Sequence, residues 1–299
     1  DCPGLNAVIR GVVKTASGYG ISVLGFHDGF LGMIEKRFDV LSTEKVSGIL
    51  TQGGTILGSS NTATPFEHVI LKQGHKEKID VSAQCMELYQ DLGLMALICV
   101  GGDGTLTIGG RFAAMGAQIV GVPKTIDKDL METDTTFGFD SAMVTATEAI
   151  DKLHTTAAAH HRIILVEVMG RNAGWLALEA GIAGGGDVIL IPEIPYDVEE
   201  IAASIRRRSR YGKKFSIVVV SEGAMPFGGT QVGTILEGRP DPVKLGGVSH
   251  LIARQLEKLT DMECRVTVLG HLQRGGTPSP LDRLLATRFA VKAVELVLN

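Results

Sequence analysis

Short apolar runs alternate with longer amphipathic segments along most of this chain. Short apolar runs are typical of strands buried on both faces of a parallel sheet, whereas longer segments with helical periodicity favour helices. The alternation therefore predicts an α/β protein with doubly wound, mainly parallel sheets. We expect strands at residues 21–26, 94–100, 118–122, 162–168, 188–192, 215–220 and 265–269, and helices at 6–16, 43–50, 82–92, 142–158, 198–211, 248–259 and 279–298.

The length of 299 residues is enough for two domains with an active-site cleft between them. Both halves share a design in which a strand, a glycine turn and a helix follow one another. Residues 223–247 are rich in Gly and Pro and predict an irregular loop or a hairpin. The chain starts at Asp1 without Met and ends inside an expected helix, so we expect both ends to be trimmed.

Composition excludes several classes of function. The net charge is −4 and the basic residues are dispersed, which argues against nucleic acid as a partner. No apolar stretch is long enough to cross a bilayer and no signal peptide is visible, so we expect a soluble protein without a membrane partner. The four cysteines show no CxxC spacing, which fits the reducing cytoplasm.

A polar cluster follows the apolar run at residues 118–122. It contains the ammonium of Lys124, the hydroxyl of Thr125 and the carboxylates of Asp127 and Asp129. In open α/β sheets, ligands bind outside the carboxyl ends of the strands. These groups could neutralise an anion, hold a divalent cation and accept a proton. The alternative is local, because aspartates are common in turns and at helix N-caps.

A glycine turn follows the preceding strand and contains Gly102, Asp103, Gly104 and Thr105. A strand that ends in glycines and then starts a helix exposes backbone N–H groups that can hold phosphate. Asp103 would repel phosphate unless a cation such as Mg²⁺ lies between them, and Asp127 or Asp129 could supply further ligands. A tight turn that only needs glycine's positive φ is the alternative explanation.

A second charged cluster follows the later strands and contains Arg171, Glu222, His271 and Arg274. Guanidinium groups bind phosphate through two parallel hydrogen bonds, and a carboxylate such as Glu222 suits sugar hydroxyls. His271 could instead be an ordinary buried histidine, although its position beside Arg274 and two glycines favours phosphate binding.

Two further arginines, Arg162 and Arg265, each begin an expected strand. They should therefore lie at the end of the sheet opposite to the loops that carry the other polar residues. This mismatch predicts that they serve the site of a neighbouring subunit.

Five motifs in this order resemble the 6-phosphofructokinase family of phosphofructokinase A type, whose members use ATP or pyrophosphate. The resemblance covers nearly the whole chain. The motifs are Gly-Gly-Asp-Gly-Thr, Pro-Lys-Thr-Ile-Asp-x-Asp, Val-Glu-Val-Met-Gly-Arg-x-Ala-Gly-Trp, Ser-Glu-Gly-Ala and Leu-Gly-His-Leu-Gln-Arg-Gly-Gly.

The resemblance implies two Rossmann-like domains that close over fructose 6-phosphate, whose 1-hydroxyl attacks the phosphoryl donor. Residues 1–137 with 273–299 would form a larger domain for the donor and Mg²⁺, and residues 138–272 a smaller domain for the sugar phosphate. By this resemblance Asp127 is the general base, Thr125 contacts substrate and phosphoryl group, and Arg171 stabilises the transferring group.

The same resemblance assigns the remaining ligands. Asp103 and Asp129 would hold Mg²⁺. Residues 102–105 and Lys124 would bind the donor, with Phe30 either against its base or in the core. Arg162 and Arg265 would come from an adjacent subunit, which implies a homo-oligomer, usually a tetramer, with a dimer possible. The sugar phosphate would be bound by Met169, Gly170, Arg171, Glu222, His271 and Arg274.

The choice of donor depends on two positions that point in opposite directions. Gly104 leaves room for the α-phosphate and nucleoside of ATP, which an aspartate there would exclude. Lys124 matches pyrophosphate-using members, although lysine with glycine at 104 also occurs in ATP-using branches. Because steric exclusion should outweigh one extra cation, we expect ATP, with pyrophosphate as the alternative.

Two departures from the family pattern concern Asn61, where many members have an arginine, and Lys128, where asparagine is usual. Two other functions compete with a phosphofructokinase. A non-catalytic sugar-phosphate or nucleotide sensor should have lost the base, yet Asp127 is present. A lipid or NAD kinase can share the glycine loop but lacks the His-Leu-Gln-Arg-Gly-Gly motif.

Overall fold

The computed structural model describes residues 1–72, 74–235 and 243–299. Their contacts divide the chain into two compact units. Unit 1 comprises Asp1–Thr125, Thr135–Gly138 and Gly275–Asn299, and unit 2 comprises Ile126–Asp134 and Phe139–Arg274. The short segment Ile126–Asp134 thus belongs to unit 2 by its contacts, although it lies inside the first range of the sequence-based division.

Helices and strands alternate along most of the described residues. The helices are α1 Leu5–Gly18, α2 Phe30–Ile34, α3 Ser82–Asp91, α4 Asp103–Ala114, α5 Phe139–His160, α6 Trp175–Ala183, α7 Val198–Arg210, α8 Val248–Thr260 and α9 Pro280–Leu298. The strands are β1 Val23–Phe26, β2 Phe38–Leu41, β3 His68–Lys72, β4 His75–Ile79, β5 Leu97–Gly101, β6 Ile119–Thr125, β7 Phe137–Gly138, β8 Ile163–Val168, β9 Val188–Leu190, β10 Ser216–Ser221, β11 Gly233–Ile235, β12 Val243–Leu245 and β13 Cys264–Val268. The exceptions to the alternation are β2-β3-β4, β6-β7 and β10-β11-β12, where strands follow one another without an α-helix between them.

Unit 1 contains a parallel sheet of order β5-β6-β7 and two antiparallel pairs, β1-β2 and β3-β4. Helix α4 packs against β5 and β6, while α9 packs against α1, β6 and β7. The ring of Phe112 on α4 is fully buried and lies 5.1 Å from the ring of Phe66. This core holds the sheet and fixes the turn between β5 and α4.

Unit 2 contains a four-stranded sheet of order β13-β8-β10-β9 in which all neighbours are parallel. Every residue of β8 and β10 is buried. Ile163 and Leu165 pack in the core formed with α7 and α8, whereas Ile164 and Val166 pack in the core formed with α5 and α6. Successive side chains thus enter opposite cores, which confirms the doubly wound α/β class.

The expected helix at residues 43–50 is wrong. The structure has turns there, followed by a short 3-10 helix at Ile49–Thr51, and Gly48 has a φ of +77° that ends any helical run. Strand β6 also continues through Pro123 to Thr125, beyond the expected stop. Pro123 pairs with Gly101 on one side, while pairing with β7 starts only at Lys124, so its lack of an N–H leaves that edge undisturbed.

The segment rich in Gly and Pro contains an antiparallel pair of strands, β11-β12, and residues 236–242 of the segment lie outside the described residues. Among the described helices, none combines the length and apolar character needed to cross a membrane.

Candidate active site

The glycine turn of unit 1 joins β5 to α4 as the sequence predicts. Gly102 is the N-cap of α4 in an extended conformation, and Asp103 is the first residue of the helix. Because the first N–H groups of a helix have no partner within the helix, this turn presents donors to an anion. Asp103 and Gly104 are exposed there and Thr105 is half-buried.

Two glycines of this turn differ in what surrounds them. A Cβ added to Gly102 would lie 3.4 Å from the carbonyl oxygen of Lys124, so the end of β5 lies close to the end of β6. A Cβ added to Gly104 would meet nothing within 4 Å. The space beside Gly104 is therefore open, and the residue there can be enlarged without disturbing the fold.

The central polar cluster starts at the carboxyl end of β6. Lys124 pairs with Phe137 and Thr125 with Gly138 on β7, and the hydroxyl of Thr136 donates to the carbonyl of Thr125 at 2.9 Å. The structure thus brings Gly102 and Lys124 together in unit 1. Thr125 is 6% exposed.

The two aspartates of this cluster lie in the segment Ile126–Asp134 of unit 2. Asp127 is 6% exposed, whereas Asp129 is exposed to solvent. The buried carboxylate of Asp127 is better suited to proton transfer than to holding a metal alone. The exposed carboxylate of Asp129 suits a hydrated cation. The two aspartates therefore differ in environment although only one residue separates them.

Unit 2 gathers several of the expected sugar-binding residues at the ends of β8 and β10. The backbone N–H of Glu222 donates to Val168 at 2.8 Å, and the carboxylate of Glu222 accepts from the N–H of Arg171 at 3.3 Å. Burial raises the pKa of the Glu222 carboxyl, and the neighbouring carboxylates of Asp127 and Glu167 raise it further. Glu222 therefore lies near the carboxylate of Asp127 and accepts from the backbone of Arg171, and the family resemblance assigns these three residues to one site.

Backbone geometry keeps these residues close. Gly170 has a φ of +142° and Arg171 a φ of +50°, so the chain turns sharply after β8. A Cβ on Gly223 would overlap the carbonyl oxygen of Arg171, so only glycine allows the two turns to approach. Met169 precedes this turn and is 8% exposed.

The histidine and arginine of the last motif lie in a 3-10 helix, Gly270–Arg274. His271 is exposed, so the alternative of a buried structural histidine is wrong. The Nε of Arg274 is buried and has no hydrogen-bond partner in the structure. An unsatisfied buried donor on a cation is costly, and an anion would satisfy it.

Arg162 and Arg265 lie at the amino ends of β8 and β13, at the opposite end from the turns above, as the sequence predicted. Both guanidinium groups contact the carboxylate of Glu263. Arg162 is the main reason why the pKa of Glu263 is lowered. The two arginines are therefore brought together within one chain.

Phe30 is the first residue of α2, and its ring centroid lies 5.8 Å from that of Phe112. It is partly buried against the core of unit 1, which supports the core alternative for this ring.

A family model for phosphofructokinase matches residues 1–297. The chain belongs to the phosphofructokinase family. It is 52% identical over 301 residues to ATP-dependent 6-phosphofructokinase 2 of Clostridium perfringens, covering 99% of this chain and 82% of that protein. It is also 52% identical over 297 residues to ATP-dependent 6-phosphofructokinase of Chloroflexus aurantiacus, covering 99% and 81%.

Solved phosphofructokinase structures have the same fold. The Saccharomyces cerevisiae enzyme matches with a TM-score of 0.81 at 32% identity, and the match covers the whole of this chain and 40% of that one. The pyrophosphate-dependent phosphofructokinase of Marinobacter aquaeolei matches with a TM-score of 0.80 at 23% identity, over 99% and 73%. The second likeness shows the fold alone.

Three positions with supporting contacts were not identified by the sequence analysis. Glu167, 2% exposed in β8, accepts from the N–H groups of Gly247 and Ser249 and so caps the start of α8. Asn6 accepts from the N–H of Ile56 and donates to the carbonyls of residues 52 and 53. Glu263 joins the two arginines. A glutamate inside an otherwise apolar strand is a signal that could have identified Glu167.

Proposed function

We propose that this member of the family transfers the γ-phosphoryl group of ATP to the 1-hydroxyl of D-fructose 6-phosphate, giving fructose 1,6-bisphosphate and ADP. The observation that carries the proposal is the buried carboxylate of Asp127, which lies near the carboxylate of Glu222 and two residues after Thr125. The names of the two bacterial relatives above, each half identical to this chain, support the same reaction.

In the proposed step, the 1-hydroxyl oxygen attacks the γ-phosphorus while its proton passes to the carboxylate of Asp127. The bond between the γ-phosphorus and the bridging oxygen breaks, and ADP leaves with the electron pair. Thr125 contacts substrate and phosphoryl group, and the guanidinium of Arg171 stabilises the charge on the transferring group. Because Asp127 is buried, its carboxylate can accept the proton directly, without bulk water taking part.

Mg²⁺ would be held by Asp103 and Asp129. Within the described residues, no group of three or more His, Cys, Asp or Glu side chains could hold a metal. Mg²⁺ takes one or two protein carboxylates and completes its shell with substrate phosphates and water. When bound, the ion neutralises charge on the donor phosphates.

The donor is held by unit 1 in this proposal. The N–H groups at the start of α4 would bind phosphate, with the ammonium of Lys124 beside them. The open space beside Gly104 supports ATP over pyrophosphate, because it leaves room for the α-phosphate and nucleoside. Phe30 packs against the core of unit 1, and the proposal does not require it to contact the adenine base of ATP.

The sugar phosphate is held by unit 2. Glu222, Met169 and Gly170 would bind the sugar, and His271 and Arg274 its phosphate; the buried Nε of Arg274 supports an anion there. Arg162 and Arg265 would serve a neighbouring subunit in a homo-oligomer, which we propose is a tetramer. They would then exchange their contacts with Glu263 for the neighbour's phosphate.

The proposed reaction is tested with fructose 6-phosphate and each donor at matched Mg²⁺, by measuring fructose 1,6-bisphosphate. We expect turnover with ATP and little with pyrophosphate. Turnover with pyrophosphate alone would reverse the donor, and turnover with neither would favour a sugar-phosphate sensor, which calorimetry with fructose 6-phosphate would then detect.

The shared site is tested by mixing an Arg162→Ala protein with an Asp127→Asn protein. If Arg162 serves a neighbour, hybrid oligomers contain some intact sites and regain part of the activity. Glu222→Gln mixed with Asp127→Asn is the matched control, because both residues lie in unit 2 of one chain and no hybrid site is intact. Absence of regained activity in hybrids shown to form would mean that one chain builds each site.

A further inference from the structure

Lys128 lies between the two aspartates and has an unusual backbone conformation. Its φ is +55°, in the left-handed region that residues other than Gly, Asn and Asp rarely adopt. A residue with a side chain is strained in this region and keeps such a conformation where its surroundings hold it. The contacts of the Lys128 side chain therefore bear on the shape of the segment that carries Asp127.

The ammonium of Lys128 is held by groups from two helices of unit 2. Its Nζ donates to Glu179 Oε1 on α6 at 2.9 Å. The same nitrogen lies 5.1 Å from the ring centre of Phe139 on α5 and 5.0 Å from that of Trp175 on α6. These distances are within the range of cation–π attraction. One carboxylate and two aromatic rings thus surround one charge.

This ion pair differs from an ordinary surface pair. The side chains of Lys128 and Glu179 are 29% and 35% exposed, whereas the Lys292–Glu295 pair on α9 is 64% and 43% exposed. Exposed pairs contribute little because water screens them and both side chains lose freedom. Partial burial against two rings makes the Lys128 contact more directional, so it can fix the position of the backbone next to it.

We propose that Lys128 is a positioning residue that holds Asp127 in its reactive orientation through Glu179, Phe139 and Trp175. The inference rests on the proposed role of Asp127 as the general base. Asp127 and Lys128 share a peptide bond, so a change in the Lys128 backbone moves the carboxylate directly. Proton transfer needs the donor and the acceptor within hydrogen-bond reach. A small displacement of the carboxylate therefore lowers the rate of the chemical step more than it weakens substrate binding.

The test compares Lys128→Met, which keeps the length of the side chain without its charge, with the near-isosteric Glu179→Gln. We expect each variant to lower kcat roughly ten- to hundredfold, while the KM for fructose 6-phosphate stays within about twofold. Lys128→Arg should retain most of kcat, because a guanidinium can also pair with Glu179 and stack on the rings. The double variant should be no slower than Lys128→Met alone, since both changes remove one contact.

A purely structural role would give a different pattern. It would lower the melting temperature without a selective loss of kcat. The melting temperature would then fall in Lys128→Arg as well. The matched control is Lys292→Met with Glu295→Gln, which removes an exposed pair and should leave kcat unchanged. If Lys128→Met fails to fold, Glu179→Gln and Lys128→Arg still give the comparison.

The Asp127→Asn variant distinguishes a wrong positioning role for Lys128 from a wrong assignment of the general base. If Asp127→Asn is inactive while Lys128→Met or Glu179→Gln keeps kcat within twofold of the wild type, the positioning role is wrong and the base assignment stands. If Asp127→Asn itself keeps normal turnover, the proposed base is wrong and the positioning role fails with it.

Discussion

The two units present their polar groups in different ways. In unit 1 the turn between β5 and α4 offers backbone N–H groups. Gly102 and Gly104 of this turn have no side chain that could cover these groups. In unit 2 the proposed chemistry depends on side chains, and some of these side chains already have partners, as Lys128 and Glu179 do. A backbone site is sensitive to added bulk, whereas a side-chain site is sensitive to lost charge.

The difference also affects stability. Asp103 is exposed at a helix N-terminus, where a negative charge is favourable. Glu222 is partly buried and lies near two other carboxylates, which makes its ionised form costly. We therefore expect unit 2 to contain groups that lower stability and contribute to activity, and unit 1 to contain fewer of them.

Asp127→Asn should produce the largest effect, because it removes the proposed proton acceptor while keeping the size of the side chain. We expect kcat to fall by about 10²- to 10⁴-fold, with a small change in the KM for fructose 6-phosphate. Steady-state assays with ATP measure both constants. Near-normal turnover would remove Asp127 from the mechanism and leave unit 2 as a binding unit.

Gly104→Asp should produce the next largest effect and tests unit 1 by added bulk and charge. The carboxylate would enter the open space beside Gly104 and repel the α-phosphate of ATP, so we expect kcat/KM for ATP to fall roughly a hundredfold. Gly104→Ala is the matched control; a Cβ there meets nothing within 4 Å, so it should fold normally and keep most activity. Equal ATP use by the aspartate and alanine variants would refute the steric explanation.

Much of the fold could be predicted because the strands are strongly apolar. The buried strand β8, apart from the role of Glu167, and the turn after β5 follow directly from local patterns. Residues 43–50 were assigned wrongly because helical spacing alone does not exclude a series of turns ended by Gly48. Arg171 and Glu222 follow the neighbouring strands β8 and β10, whereas their grouping with Asp127 in one site came from the resemblance to the family.

The supporting contacts could not be predicted in the same way. Glu179 follows Lys128 by 51 residues in the sequence, and no local pattern predicts that the two residues pair. Glu263 looks like an ordinary surface residue until β13 and β8 are placed side by side. Such partners depend on register and packing, which a single sequence does not fix.

Glu167→Ala should lower stability by a smaller amount than the catalytic effects above. It removes the acceptor for the N–H groups of Gly247 and Ser249 in a buried place, which should cost about 1–3 kcal/mol of unfolding free energy. Urea unfolding measures this change. Glu257→Ala is the control, since Glu257 also accepts from a backbone N–H, that of Cys264, but is exposed. Equal losses in both variants would mean that burial at Glu167 has no special cost.

The smallest expected effect is the pH dependence of stability due to Glu222. Its pKa is raised in the folded protein, mainly by burial, so the folded state holds this proton more tightly than the unfolded state. Glu222 therefore favours folding at low pH, and this contribution is lost as the pH rises from the unfolded pKa through the raised folded pKa. Above that window the buried charge opposes folding.

Glu222→Gln removes the titration but keeps an oxygen that can accept from the N–H of Arg171. Relative to the wild type, the variant should therefore gain stability as the pH rises through this window and keep a constant advantage above it. Urea unfolding of both proteins across the acid range measures the difference, and activity at neutral pH should fall because the proposed contact with sugar hydroxyls is weakened. A difference that does not change with pH would show that Glu222 has the same proton affinity in both states, and the contrast between the two units would then rest on Asp127 and Lys128 alone.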